Sequence, residues 1–381
     1  MRCASALSTV RNTDAAFADV LGRVAAGLDG TPADLAVVFS SSHHADRLGE
    51  LAPRLAEAGL GVHVIGCTGE SVVGEGREIE GSSALCLWSI TLPGASLTPV
   101  RLSAVADGIT GWPEGVQGDS SLLLMGDPFT FPAEDLLKRL NADAPGLRVV
   151  GGMASAGRAP GQNRLLLDGE TYKDGAVGLL LGGVALRTVV SQGCRPIGRP
   201  LIVTKVEANV VRELGRRPAL EVLRELFAEL DEHEQTLVHE GLHVGRVINE
   251  YQETFKRGDF LVRNVIGVDP AGGIALTDHL RVGQTVQFHV RDAATADEDL
   301  RLLLAEVPAG RPVGALLFSC NGRGSRLFSS PDHDASTIAE VLGPIPVAGF
   351  FAMGEVGPVG GQNFLHGFTA SMAIFEWPSP M

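Results

Sequence analysis

The chain has 381 residues, of which 45% are apolar, and carries a formal net charge of −14. The length is typical of two domains, and the apolar content is enough for a sizeable core. The negative charge argues against a nucleic-acid or anionic-membrane surface, since both need clustered Lys and Arg. The five cysteines are irregularly spaced, which favours free thiols in a reducing cytoplasm over a disulfide framework.

The N-terminal stretch predicts a short strand followed by an amphipathic helix that is capped at Thr13 or Asp14. It lacks the uninterrupted apolar core of a signal peptide. The longest nearly apolar run is GAVGLLLGGVAL, at 175–186. This run is too short to span a bilayer and is typical of a buried pair of strands.

Three segments share one plan, at residues 35–70, 122–157 and 315–355. Each begins with an apolar run of strand length, then a polar loop and a segment of helical periodicity, and closes with a strand ending in glycine: VHVIG, LRVVG and IPVAG. A further strand-rich run follows each segment. The pattern predicts an α+β fold of mixed β-sheets with helices packed on the outer faces. It indicates repeated β-α-β-β units and favours an internal duplication.

The stretch VHEGLHVGR, at 238–246, contains the H-E-x-x-H pattern of zinc metalloproteases. That chemistry needs both histidines on one face of a helix. Gly241 disfavours an uninterrupted helix, and HVGRVINEY has the pattern of a strand. We therefore interpret the pattern as a coincidence. His43 and His44, with Asp46, are interpreted as a solvated loop, and we expect neither a metal ion nor a cofactor.

In sheets built by helical crossovers, ligands bind at the carboxyl ends of the strands. Small, polar and thiol residues stand at these ends, where they suit the walls of a pocket for a small molecule, although ordinary turns use the same residue types. The residues predicted to bind the ligand from this placement are Ser40, Ser41, Cys67, Thr68, Glu70, Gly151, Gly152, Ser319, Cys320, Arg323 and Glu355.

Two residue types at these ends carry chemistry. Glu70 and Glu355 occupy corresponding places after the glycine-terminated strands of the first and third segments, where they would bind a ligand ammonium group or cap loop amides. A thiol beside an arginine has a lowered pKa and becomes a nucleophile, and Cys320 fits this best. Cys194, directly before Arg195, is next, but a buried thiol in a tight turn is the alternative for both.

The motifs VIGCTGE, SQGCRPIGRPLIVTKVEANVVRELGRRPALEVLREL, RNVIGVDPAGGIALTDHLRVGQTVQFHVRD, LLFSCNGRG and GFFAMGEVGPVGGQNFLHGFTASMAIF resemble parts of the FIST family, in the family's order. The first two are similar to its N-terminal domain and the last three to its C-terminal domain. The resemblance implies a FIST N-terminal-type domain at 1–217 and a C-terminal-type domain at 218–381. It adds three motif residues to the predicted site, Cys194, Arg195 and Asn363.

FIST domains of bacteria are proposed to bind small ligands in signal transduction, so the resemblance implies a sensory protein. We expect a cytoplasmic protein that binds an amino acid or a similar polar metabolite and has a separate signalling protein as a partner. Two alternatives stay open. One is a thiol-dependent enzyme that uses Cys320 or Cys67, and the other is a protein-interaction adaptor.

Overall fold

The computed structural model describes residues 1–116 and 118–377. The helices are α1 (Thr13–Leu28), α2 (Leu51–Glu57), α3 (Ala133–Asp143), α4 (Ala219–Glu229), α5 (Glu232–Glu240), α6 (Ala293–Ala305) and α7 (His333–Leu342). Two short 3-10 helices lie at Ser42–Glu50 and Gly324–Arg326.

The strands are β1 (Cys3–Ser8), β2 (Leu35–Ser40), β3 (His63–Thr68), β4 (Ser71–Gly74), β5 (Arg77–Glu80), β6 (Leu85–Ile90), β7 (Ser96–Val105), β8 (Gly108–Thr110), β9 (Ser121–Gly126), β10 (Arg148–Met153), β11 (Leu165–Leu167), β12 (Glu170–Tyr172), β13 (Ala176–Gly182), β14 (Leu186–Gln192), β15 (Cys194–Glu207), β16 (Val210–Leu214), β17 (Arg217–Pro218), β18 (Leu242–Val247), β19 (Phe260–Val268), β20 (Ile274–Leu276), β21 (Thr285–Arg291), β22 (Pro312–Cys320), β23 (Val347–Ala352), β24 (Glu355–Val359), β25 (Gln362–His366) and β26 (Thr369–Glu376). These elements confirm the predicted α+β class.

The chain divides into two compact units. Unit 1 contains Met1–Ser191 and the segment from Leu300 onward, and unit 2 is Gln192–Asp299. Unit 2 is therefore an insertion within the sequence of unit 1.

Unit 1 contains three sheets with the same plan. Sheet 1 has the strand order β1-β6-β2-β3-β11-β12, sheet 2 the order β8-β7-β13-β9-β10-β24-β25, and sheet 3 the order β14-β26-β22-β23-β4-β5. In the middle of each sheet lies a parallel pair, β2 with β3, β9 with β10 or β22 with β23, while the flanking strands are antiparallel. The predicted mixed sheets are thus confirmed. The shared plan supports an internal duplication, which stays a prediction.

Each sheet is completed by a hairpin from elsewhere in the chain. The hairpin β4–β5, which follows β3 of sheet 1, pairs with β23 of sheet 3. In the same way β11–β12 leaves sheet 2 and pairs with β3, and β24–β25 leaves sheet 3 and pairs with β10. The carboxyl end of each parallel pair therefore lies beside residues that are distant in sequence.

The two faces of each sheet contribute to different cores. In β2, Val37 and Phe39 belong to a central cluster that also contains residues of sheets 2 and 3, such as Met125 and Phe318. The alternate residue Val38 packs on the outer side with residues of α1. Helices α3 and α7 cover sheets 2 and 3 in the same manner. This alternation has the period of two that a strand requires, and it confirms helices on the outer faces.

Two local predictions need correction. The N-cap of α1 is Asn12, not Thr13 or Asp14, because the Asn12 side chain accepts a hydrogen bond from the Ala15 backbone N–H at 3.0 Å. The apolar run at 175–186 is not a pair of strands. It contains β13, which joins sheet 2, and only the first residue of β14, which joins sheet 3.

Unit 2 is a closed antiparallel barrel. Strand β15 pairs with β21 on one side and with β16 on the other, and β18, β19 and β20 complete the circuit. Helix α5 ends at Glu240, Gly241 is its C-cap, and β18 begins at Leu242. His239 and His243 therefore lie on different elements and not on one face of a helix, which the zinc motif requires.

Among the described residues, no helix has both the length and the apolar character needed to cross a bilayer.

Candidate functional site

The carboxyl end of sheet 3 carries a buried group of charged side chains and a thiol, here called the Arg323 cluster: Cys320, Arg323, Asp334, Glu78 and Glu355. Cys320 ends β22, Asp334 lies in the first turn of α7, and Glu355 begins β24. Glu78 comes from β5, which reaches sheet 3 only through the exchanged hairpin.

The centre of the cluster is a buried ion pair. Arg323 donates from Nε to Asp334 Oδ2 at 2.7 Å and from Nη2 to Oδ1 at 2.8 Å, and both side chains are 0% exposed. Ser319 Oγ donates to the same carboxylate at 2.9 Å. Burial alone would raise the pKa of Asp334, but the Arg323 charge and hydrogen bonds lower it below its usual range. Asp334 is therefore an anion that holds the guanidinium in place.

Two further carboxyl groups, those of Glu355 and Glu78, lie near this pair and differ from Asp334 in their protonation state. Burial raises the pKa of Glu355 to about 8. Burial, followed by the negative charge of Asp334, raises the pKa of Glu78 as well. At neutral pH both groups favour the protonated form, so Arg323 is balanced by one carboxylate and not by three.

Each of these side chains is only partly satisfied. Glu355 Oε2 accepts from the backbone N–H of Thr369 at 3.1 Å and from its hydroxyl at 2.8 Å, and Glu78 Oε1 accepts from the Ala335 N–H at 3.0 Å. Within residues 1–116 and 118–377, no hydrogen-bond partner stands at Glu355 Oε1, Glu78 Oε2, Arg323 Nη1 or Asn321 Oδ1. Such atoms are costly to bury alone, so a small polar molecule with both a donor and an acceptor would stabilise the cluster.

The Cys320 thiol lies beside Glu355 but is not activated. Burial and then the Glu355 carboxyl raise the pKa of the thiol, in contrast to the predicted lowering by neighbouring arginines. Arg323 forms an ion pair with Asp334, and Arg326 forms one with the carboxylate of Glu70. Burial also raises the pKa of Cys67, which belongs to the central core. Neither thiol has the environment of a nucleophile.

Of the predicted site residues, Ser319, Cys320, Arg323 and Glu355 are brought together. Glu70 reaches the same end of sheet 3 through its ion pair with Arg326. Its backbone N–H donates to Ser155 Oγ at 2.8 Å, and that hydroxyl donates in turn to the carbonyl of Phe351. Ser155, a residue that the sequence prediction missed, thus ties the strand ends of all three sheets.

The strand pairings change one predicted correspondence. Glu355 stands opposite Gly152 in sheet 2, whereas the residue opposite Phe350 in sheet 3 is Val72. Gly152 and Phe350 occupy equivalent positions of their strands, one residue after a glycine in the parallel pairs. Glu355 therefore corresponds to Val72, not to Glu70.

The remaining predicted residues of unit 1 lie elsewhere. At the end of sheet 1, Ser40 Oγ donates to the Ser41 carbonyl at 2.7 Å and Thr68 Oγ1 accepts from the Arg164 N–H at 2.9 Å. Ser41 Oγ accepts from the Ala84 N–H at 3.0 Å. His44 is buried between Thr13 and Ser83, so its predicted solvated position is wrong.

Asn363, Gly151 and Gly152 lie at close contacts between strands in and beside sheet 2. The Asn363 side chain accepts from the Val149 N–H at 2.8 Å and donates to the Leu147 carbonyl at 2.8 Å, which fixes the exchanged hairpin. A Cβ atom on Gly151 would lie 1.8 Å from the Leu124 carbonyl oxygen, and one on Gly152 would lie 2.8 Å from the Ala352 Cβ. Their contact with a ligand stays a prediction.

Cys194 and Arg195 lie in unit 2. Cys194 is buried in β15. Arg195 binds Asp292 at 2.8 Å and Glu234 at 2.9 Å, and these two hydrogen-bonded carboxylates raise the pKa of the guanidinium against the opposing effect of burial. A ligand role for this pair also stays a prediction.

Sequence reasoning missed Asp334 and Glu78. His333-Asp334 in PDHDAST offers an acidic residue in a first helical turn, which is a common surface feature. Glu78 belongs to a hairpin whose partner strand lies about 280 residues later (Val72 pairs with Phe350). In the described part of the chain, no group of three or more His, Cys, Asp or Glu side chains is arranged to hold a metal ion.

The comparisons with known proteins agree with this architecture. The FIST N domain matches residues 34–217 and the FIST C domain residues 219–358, which include Cys320 and Glu355. An uncharacterized protein of Mycobacterium tuberculosis is 44% identical over 382 residues, covering 98% of this chain and 100% of the relative. An uncharacterized protein of Mycobacterium bovis is 42% identical over 383 residues, covering 98% and 99%. The chain belongs to the FIST family.

Proposed function

We propose that this protein is a sensor that binds a small zwitterionic metabolite, such as an amino acid, at the Arg323 cluster. FIST domains are generally taken as small-ligand sensory domains in signal transduction. The observation that carries the proposal is the pair of fully buried side chains, Arg323 and Glu355, each with one polar atom that has no partner in the described part of the chain.

The two atoms have opposite preferences. Arg323 Nη1 is a donor with a fixed positive charge, so it would bind the ligand carboxylate. Once Glu355 has released its proton, its Oε1 is an acceptor, and Asn321 Oδ1 is a second one, so they would bind the ammonium group. A ligand cation beside Glu355 would favour its ionised form. Because the pKa of Glu355 is raised to about 8 by burial, binding near pH 7 would release a proton and strengthen as the pH rises.

Thermal unfolding in the presence of single amino acids and related metabolites tests the proposal. At 100 times Kd, one bound ligand stabilises the folded state by about 2.7 kcal/mol, which raises Tm by a few degrees. The expected result is a saturable, selective shift that Glu355→Gln and Arg323→Lys abolish. Glu376→Gln is the matched control, because Glu376 is another buried carboxyl, at the other end of β26 from Thr369.

A shift that survives in Glu355→Gln and Arg323→Lys would overturn the placement of the site. A shift lost equally in Glu376→Gln would show a general loss of stability. No shift with any zwitterion would overturn the proposed ligand class.

The cellular compartment and the signalling partner are part of the same proposal. All five cysteines are free, which supports a reducing cytoplasm, and a separate signalling protein would receive the signal. The domain boundary between residues 217 and 218 stays a prediction. No observation favours the thiol-dependent enzyme, since burial raises the pKa of both Cys320 and Cys67.

A further inference from the structure

Unit 2 contains a cleft of about 390 Å³ between α4 and the wall of the barrel. Its volume lies in the range of small-molecule sites, which often occur at the mouths of β-barrels. The lining residues share one feature, an apolar floor below a charged rim. The floor is made by Leu201, Leu214, Val222, Leu226 and Phe288, and the rim by Arg199, Arg217, Glu225 and Glu229.

The apolar floor follows from incomplete packing of α4. Val222 and Leu226 are one helical turn apart and face the barrel, yet Ala219 is the helix's buried residue. Leu201, Leu214 and Phe288 also line a void of about 10 Å³ inside the barrel. These three side chains therefore separate the cleft from the barrel interior, and an apolar ligand would bury surface that α4 leaves half-exposed.

A bulge in β15 shapes the rim. The pairing of β15 with β21 is interrupted between Ile197 and Leu201. Gly198 has a φ of +63°, and a Cβ there would lie 2.7 Å from the Leu226 Cδ1 atom. Gln287 Nε2 donates to the Gly198 carbonyl at 2.9 Å and holds the bulge. The bulge places Arg199 at the edge of the cleft.

The two arginines of the rim differ in their ion pairing. Arg217 binds the Glu225 carboxylate with both terminal nitrogens. Hydrogen bonds from Arg217 and, more weakly, the charge of Arg199 lower the pKa of Glu225. Arg199 itself makes no ion pair in the part of the chain that the structure describes. Its planar donors are available to a carboxylate.

We propose that this cleft binds an apolar carboxylate, whose hydrocarbon part contacts Leu201, Leu226 and Phe288 and whose carboxylate binds Arg199. The site is independent of the Arg323 cluster, because all its residues belong to unit 2. A fatty carboxylate and an apolar amino acid share this chemistry. In the second case Glu229 would bind the ammonium group.

NMR titration of the full-length protein with octanoate, phenylalanine and octylammonium tests the proposal. We expect octanoate or phenylalanine to bind, with about tenfold weaker binding in Arg199→Gln, because a hydrogen bond to a charged group is lost. Leu226→Trp, which fills the cleft, should abolish binding. Arg281→Gln, an equal change of charge in an exposed turn of the barrel, should leave the affinity unchanged.

The two carboxylates distinguish the source of the ligand. Tighter binding of octanoate indicates a fatty carboxylate, and tighter binding of phenylalanine indicates an amino acid. Absence of binding by both at 10 mM (about 2.7 kcal/mol of affinity) would overturn the proposal. So would equal losses in Arg199→Gln and Arg281→Gln, or equal affinity for octylammonium. Because Arg199 is exposed, that variant keeps the test valid if Leu226→Trp does not fold.

Discussion

Arg323 and Asp334 form a two-point ion pair in which neither side chain is exposed to solvent. The two residues are separated by a loop and the start of α7, and their hydrogen bonds measure 2.7 and 2.8 Å. Because Arg323 Nη1 has no hydrogen-bond partner among the residues that the structure describes, the pair connects the stability of sheet 3 with the proposed ligand site.

Asp334→Asn should destabilise the protein strongly. The substitution leaves a buried guanidinium without a counter-charge, which typically costs about 3–5 kcal/mol. Urea unfolding followed by circular dichroism measures the loss. The control is Asp14→Asn, since Asp14 binds Arg47 and Arg54 on the surface and should matter little. Similar losses in the two variants would contradict the special role of the buried pair.

Glu355 should make the protein less stable as the pH rises. Burial raises its pKa to about 8, above the ordinary value of 4.5, so the folded state binds a proton that the unfolded state has lost. Between pH 4.5 and about pH 8, each unit by which the pH rises lowers the free energy of unfolding by about 1.4 kcal/mol through this group. Glu355→Gln removes this dependence, so its stability relative to the native sequence should increase from pH 5 to pH 8.

Urea unfolding at pH 5, 6.5 and 8 measures this difference. Glu376→Gln again serves as the control, because it replaces another buried carboxyl group by an amide. Parallel pH profiles of Glu355→Gln and the native sequence would show that Glu355 is ionised in the folded state.

The sequence predicted the elements of the fold better than their assembly. Apolar runs such as LAVVFS and helical periodicity are local signals, and they correctly indicated crossover units and mixed sheets. The exchange of hairpins has no local signal, because β4 pairs with β23 about 280 residues away. For this reason Glu78 could not be placed beside Arg323, and Glu70 and Glu355 were assigned equivalent positions that they do not have.

The candidate site was predicted in part for the same reason. Ser319 and Cys320 end β22 and Arg323 lies in the loop directly after it, so their proximity followed from sequence. The states of their side chains depend on burial, which the sequence did not reveal. Two arginines near Cys320 suggested a lowered thiol pKa, but both guanidiniums are paired with carboxylates, and burial raises the pKa.

The glycines that end VHVIG, LRVVG and IPVAG have a common physical reason. Each lies in the second strand of a parallel pair, where a Cβ would clash with a carbonyl oxygen of the first. The distances are 2.2 Å for Gly66 and Val38, 1.8 Å for Gly151 and Leu124, and 2.2 Å for Gly349 and Leu317. A strand residue with a side chain cannot occupy this position without a shift of the backbone.

Gly349→Ala should therefore destabilise the protein, by about 1–3 kcal/mol as in other overpacked cores. The matched control is a glycine whose replacement should raise the stability instead. Gly22 lies on the exposed side of α1, where an added methyl group would meet open space, so Gly22→Ala should stabilise by about 1 kcal/mol. Chemical denaturation measures the free energy of unfolding of both variants. If Gly349→Ala leaves it unchanged, the strands have room to separate.

Two buried histidines should make unit 2 sensitive to acid. His243 in β18 stands opposite His289 in β21, and the His289 ring packs on Gly245. Burial lowers the pKa of both to about 4, and Arg291 contributes to the lowering for His243. Unfolded histidine has an ordinary pKa near 6.5. Below that pH the unfolded state binds protons that the folded state excludes, so stability falls as the pH decreases from 6.5 to 4.

For two groups this loss approaches about 2.7 kcal/mol per pH unit. Hydrogen exchange of the β18 amides, measured by mass spectrometry between pH 4 and 7 and corrected for intrinsic rates, follows the opening of unit 2. The double variant His243→Asn/His289→Asn should lose most of this pH dependence, whatever its absolute stability. His233→Asn, in the exposed part of α5, should keep it. If the double variant retains the native slope, carboxylates and not these histidines determine the acid response.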